Sequence, residues 1–173
     1  MIRLKSILTE INMAGLVPYA ATFTWRKLAM NGGIIDTKVA AAGTVINIVM
    51  SLDDPDTQDW TFSYFLPNKT DDQRWTTNAS DAAAPEALSY LRVMLTCAYA
   101  IRDFADTYNA DQIDISGADS GFGKSAQKTR IYHDLLLANK SMFADFKIQK
   151  SFTGHLFLIR IRKTDATGME DPQ

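Results

Sequence analysis

The sequence predicts an α+β fold, with a mostly antiparallel central sheet and helices packed on its faces. Three observations carry this. Several short segments alternate apolar and polar residues, as half-buried strands do. The first three of them follow one another with no helix between, which favours antiparallel pairing. Two longer segments repeat apolar residues at three- and four-residue steps, as helices with one buried face do.

The elements follow in order. Residues 3–14 have Ile7, Leu8 and Ile11 at helical spacing and predict a short amphipathic helix. Ala21 to Leu28 alternates, with Phe23 and Trp25 on one side, and Asn31-Gly32-Gly33 breaks it. Val39 to Leu52 contains a second strand, with Ile46, Ile48, Met50 and Leu52 on one face. Asp53-Asp54-Pro55-Asp56 is built of turn residues. Trp60 to Leu66 returns as a third strand, so a hairpin is expected here. A polar loop follows from Pro67 to Ser80, with Trp75 as its one large apolar residue.

Ala82 to Tyr108 is the longest helical pattern. Ser80 or Asp81 suits its cap, and Pro85 and Glu86 suit its first turn. Leu88, Leu91, Leu95, Ala98 and Ile101 form its apolar stripe. Gln112 to Ser116 is a short strand with Ile113 and Ile115 inward. Ser125 to Asn139 is a second helix, with Ile131, Leu135 and Ala138 on one face and Tyr132 and Leu136 beside them. Two strands close the chain. Phe146, Ile148 and Phe152 alternate, Thr153-Gly154 turns, and Leu156 to Arg162 returns. Residues 164–173 are almost free of apolar side chains and read as a frayed tail. One domain over residues 1–173 is expected, since no linker or repeat interrupts the chain.

Composition narrows the function classes. Hydrophobic residues make up 46% and charged residues 22%, as in ordinary globular proteins. A net charge of −2 gives no global pull toward nucleic acid or anionic membrane. No apolar run approaches the ~18 residues a membrane span needs, and the start lacks a signal-peptide core. A cytoplasmic protein is expected. The single cysteine, Cys97, lies in an apolar helical run and reads as a buried thiol. His133 and His155 lack metal-ligand spacing, so no metal site is expected.

Two motifs bear on chemistry. Ala118-Asp119-Ser120-Gly121-Phe122-Gly123-Lys124-Ser125 matches a relaxed phosphate-loop pattern between a strand and a helix. Ala118 stands where the usual opening glycine would be. Consecutive strands also do not make the parallel βαβ sheet such loops occupy. A strand-to-helix glycine loop is the reading adopted. Lys147, Lys150, Arg160, Arg162 and Lys163 fall on the closing hairpin and could form a patch for phosphates. A solvated strand face is the far commoner reading of such residues, and nucleic acid is not an expected partner.

The order of elements resembles the GNAT (acyl-CoA N-acyltransferase) fold, from about Ala21 to Lys163. There, three antiparallel strands lead into a long helix, then a strand, a helix and a closing strand pair. Lys128-Thr129-Arg130-Ile131-Tyr132-His133-Asp134-Leu135-Leu136 looks like the GNAT helix whose tyrosine serves as general acid for the departing thiolate. Tyr132 is the matching position, and Asp59 is a conceivable base partner. The GNAT pyrophosphate turn, Q/R-x-x-G-x-G/A, would fall within Gln73 to Ala82, which contains no glycine. Asp81 would add negative charge there. The resemblance therefore implies a degenerate GNAT-like protein that acts by binding or as a structural part. No cofactor is expected in that case, and a protein partner is. The alternative is an active N-acyltransferase using acetyl-CoA or another acyl-CoA, with Tyr132 as acid and Thr76, Thr77, Asn78 and Ser80 in a nonstandard cofactor loop. The opening MIRLKSILTE and the tyrosine-bearing helix also look like small tailed-phage proteins. That implies a virion component or a modulator of the host, located in the bacterial cytoplasm or the virion.

Overall fold

The computed structural model describes residues 16–28, 33–41, 44–65, 84–115, 124–151 and 155–162, with side chains left aside at 44, 84–90, 124–128 and 131. The expected N-terminal helix and tail lie outside these residues. The strands are β1 (Arg26–Lys27), β2 (Ile34–Ala41), β3 (Thr44–Asp54), β4 (Asp59–Phe65), β5 (Gln112–Asp114), β6 (Phe146–Lys150) and β7 (Leu156–Arg160). Helix α1 (Ala84–Tyr108) joins β4 to β5, and α2 (Lys124–Ala138) follows β5. A 3-10 turn, Lys140–Phe143, precedes β6.

The sheet has seven strands in the order β1-β2-β3-β4-β5-β7-β6. Every pairing among them is antiparallel except β4 with β5, which is parallel. A parallel neighbour needs a crossover, and α1 provides it. The class is therefore α+β, as the strand pattern predicts.

Two expectations about the early strands are corrected. The strand expected within Val39 to Leu52 is β3, but the first residues of that segment belong to a further strand, β2, which forms a hairpin with it. The pattern hides β2 because Asp36 and Thr37 are buried side by side in it, at 2% exposure each. Asp36 is tied to Arg26 by two hydrogen bonds, 3.0 Å from Nε and 2.7 Å from Nη2. A paired carboxylate can be buried where an unpaired one could not. The strand read from Ala21 to Leu28 shrinks to Arg26–Lys27. Phe23 and Trp25 do face inward as expected, but Trp25 packs on Phe104 of α1, with Phe23 beside it, rather than extending the sheet.

The β3–β4 hairpin agrees with the Asp/Pro loop. Asp54 Oδ1 accepts from the backbone N–H of Asp56 at 2.9 Å and of Thr57 at 3.4 Å. An aspartate that satisfies the amides after it closes a tight turn.

Both described helices lie on the same face of the sheet, so the expectation of helices on both faces is not met by α1 and α2. Trp60 and Phe62 share one face of β4, since strand side chains alternate. Phe104 of α1 meets Trp60 at 4.8 Å between ring centroids, and Tyr132 of α2 meets Phe62 at 6.0 Å. Ile35, Ile46, Ile48, Met50, Ile113 and Leu158 complete this buried face. The predicted α1 stripe is buried at Leu91, Leu95, Ala98 and Ile101. Among the described side chains of α2, the buried ones are Thr129, Tyr132, Leu135 and Leu136, while Ala138 is exposed. Cys97 is fully buried, and burial pushes its thiol pKa up. A thiol held protonated is a packing group rather than a nucleophile.

The closing hairpin is bolted to α1 by charges. Arg102 reaches Asp145 and pairs with Asp106 at 2.7 Å. Arg160 reaches Asp145 at 3.2 Å and the carbonyls of Ala105 at 2.8 Å and Ala110 at 3.0 Å. Both guanidinium groups lie over the Phe146 ring. No described helix is long and apolar enough to cross a membrane.

Candidate functional site

The parallel pair is short. Asp59 pairs with Gln112, Trp60 with Ile113 and Thr61 with Asp114. Each strand keeps its other neighbour throughout, β4 on β3 and β5 on β7. Ile115 donates its N–H to Leu156 O of β7 at 2.7 Å. Strand β4 runs on to Phe65, paired with Asn47 of β3. Among the described residues, the sheet thus parts in its interior after Thr61 and Asp114, at the C-terminal end of its one parallel pair. In sheets with parallel strands, ligands favour this end, where connections diverge.

The opposite end of the pair, where both strands begin, is locally fixed. Gln58 and Asn109 precede the two strands and both have positive φ, 54° and 52°. Asparagine tolerates this region, whereas glutamine adopts it at a cost of about 1–2 kcal/mol. Asp111 N–H bonds Gln58 O at 3.3 Å, which ties the start of β4 to the start of β5.

Tyr132 stands at the parting. Its ring meets Phe62, the first β4 residue past the last parallel pair, edge to face at 82°. The residue is 4% exposed and its hydroxyl oxygen is buried. Asp59 is not brought to it. Asp59 and Thr61 alternate with Trp60 and Phe62, so Asp59 belongs to the opposite face of the sheet. Thr76, Thr77, Asn78 and Ser80 lie outside the described residues, as do Trp75 and the glycines of the phosphate-loop pattern. Lys124 and Ser125 begin α2.

The basic patch is not assembled. Arg160 is committed to Asp145 and two carbonyls, and Arg162 to Asp111. Lys147 and Lys150 fall on opposite faces of β6 by alternation. Lys163 lies outside the described residues. Among the described residues, no group of three or more His, Cys, Asp or Glu could hold a metal ion.

One pair was invisible in the sequence. Asp114, the last residue of β5, meets His155 Nδ1 at 3.1 Å. The imidazole stacks on Phe157 at 6.1 Å and 13°. Its backbone is held by Ser151, whose Oγ accepts the His155 N–H at 3.0 Å. A carboxylate facing Nδ1 fixes the ring's tautomer and orientation. Forty-one residues separate the two. Only the placement of β7 beside β5 joins them, and no local motif reports that placement.

No family model, curated protein or solved structure matches the chain.

Proposed function

We propose that this chain is a diverged GNAT-like protein of phage type that acts by binding, as a virion component or a modulator of the host, rather than by acyl transfer. The observation that carries the reading is the parting of β4 and β5. It puts the end of one parallel pair inside an otherwise antiparallel sheet, after the crossover helix α1, in the element order the GNAT resemblance implies. Two features favour binding over catalysis. Residues 73–82 contain no glycine, so close approach of backbone amides to a pyrophosphate is not built in. The Tyr132 hydroxyl is enclosed, which suits a core tyrosine better than a proton donor to a leaving thiolate.

A second reading is acyl transfer with a nonstandard cofactor loop at Thr76, Thr77, Asn78 and Ser80. The Asp114–His155 pair favours it, because an aspartate-held imidazole could accept a proton, on the Thr61 face of the sheet opposite Tyr132.

Isothermal calorimetry with acetyl-CoA separates the two, with ATP–magnesium as a parallel control. The binding reading expects no heat from either. Acetyl-CoA binding near or below ~100 μM, about −5.5 kcal/mol, would transfer the case to acyl transfer. Heat with ATP alone would restore the phosphate-loop reading of residues 118–125.

A further inference from the structure

Strand β6 ends the sheet, and the phase of its ladder leaves that edge open. Ile161 donates its N–H to Asp145 O at 2.9 Å, and Ser151 donates to His155 O at 2.8 Å. In an antiparallel ladder, bonded and non-bonded pairs alternate. Lys147 and Gln149 therefore turn their backbone groups to β7. Phe146, Ile148 and Lys150 turn N–H and C=O to the outside. No described strand lies beyond β6. The opposite edge, β1, is only two residues long.

The side chains along this edge are basic. Lys147, Gln149 and Lys150 are exposed. The neighbouring arginines are neutralised by Asp145 and Asp111, whereas neither lysine has an ion pair among the described residues. A second copy of the chain fits poorly here. Antiparallel self-pairing about Ile148 would set Lys147 opposite Gln149 and Lys150 opposite Phe146, so a second copy would bring no carboxylate to face either lysine.

We propose that the outer edge of β6 is a docking site for an extended acidic segment of a partner protein, added to the sheet as a further strand. The outward N–H and C=O groups of Phe146, Ile148 and Lys150 would bond its backbone. Lys147 on one face and Lys150 on the other would pair with its carboxylates. The inference rests on the binding reading for the existence of a protein partner. The acetyl-CoA calorimetry tests that reading independently of this edge.

The test uses the full chain and three blocked eight-residue peptides in which pairs of valine alternate with pairs of glutamate, glutamine or lysine, so that the variable residues fall on both faces of the added strand. Binding is followed by fluorescence anisotropy, and amide exchange by NMR. The glutamate peptide should bind at least tenfold more tightly than the glutamine peptide, and the lysine peptide should not bind. Salt should weaken the binding. Exchange should slow at the amides of Phe146, Ile148 and Lys150. The double variant Lys147→Glu/Lys150→Glu should keep the native circular dichroism and reverse the peptide preference. Equal affinity for the glutamate and glutamine peptides, or unchanged exchange at those three amides, would overturn the proposal. Concentration-dependent protection of the edge without peptide would also overturn it, in favour of a second copy of the chain.

Discussion

Phe104→Ala should lower the free energy of unfolding by about 3–5 kcal/mol, read as a fall in the urea midpoint. Phe104 is fully buried on α1 and touches three aromatic rings. It meets Trp25 at 5.0 Å and Trp60 at 4.8 Å, both near-perpendicular, and stacks on Tyr108 at 4.6 Å. It therefore joins the N-terminal segment, the parallel strand β4 and the helix that crosses from β4 to β5. Truncation removes buried apolar area and leaves a cavity between elements that cannot all close on it. Each lost edge-to-face pair adds about 0.5–1.5 kcal/mol. Stabilities of about 5–15 kcal/mol are usual, so the variant should be close to marginal. A loss below about 1 kcal/mol would mean that this aromatic cluster is not the centre of the core.

Asp145 should make the protein sensitive to acid. Its burial alone would raise its pKa, but hydrogen bonding and charge attraction from Arg102, with Arg160 adding to them, outweigh burial and hold the pKa below the ordinary carboxylate value. A carboxylate with a depressed folded pKa adds stability that is present above its unfolded pKa of about 3.9 and disappears as pH falls through the folded value. Unfolding midpoints should therefore drop between about pH 5 and pH 2. In Asp145→Asn the drop should be smaller, because the neutral amide has nothing to protonate. At neutral pH the same substitution should cost about 1 kcal/mol. The carboxylate is 41% exposed, and solvent screening limits what such a pair contributes. Parallel pH profiles for the two proteins would show that Asp145 is not the coupled group.

The strands that alternate cleanly were legible in the sequence. The β3–β4 hairpin follows from Ile46, Ile48, Met50, Trp60 and Phe62 around an Asp/Pro turn. Helix α1 follows from its leucine and alanine stripe. Strand β2 was not legible, because a buried Asp36 breaks the alternation and its partner Arg26 acts from another strand. Strand β1 was overextended because Trp25 turns inward to meet α1, with Phe23 beside it, rather than to extend the sheet. The parting of β4 and β5 was also out of reach. It depends on which strands become neighbours, and local pattern says nothing of that. The same limit hid Asp114 and His155. Tyr132 was legible as a residue of the buried helix face, but the enclosure of its hydroxyl and the separation of Asp59 onto the other face required the packed sheet.

The functional reading rests on β4 and β5 pairing in parallel for three residues and then parting. Cross-strand nuclear Overhauser contacts on isotope-labelled protein read this out without any ligand. Contacts between the backbone protons of β4 and β5 should appear in the parallel pattern around Trp60 and Ile113. They should cease past Thr61 and Asp114, while the contacts of β5 with β7 continue through Ile115 and Leu156. Contacts that continue from Phe62 to Ile115, or that follow an antiparallel pattern, would contradict the parting and remove the proposed site.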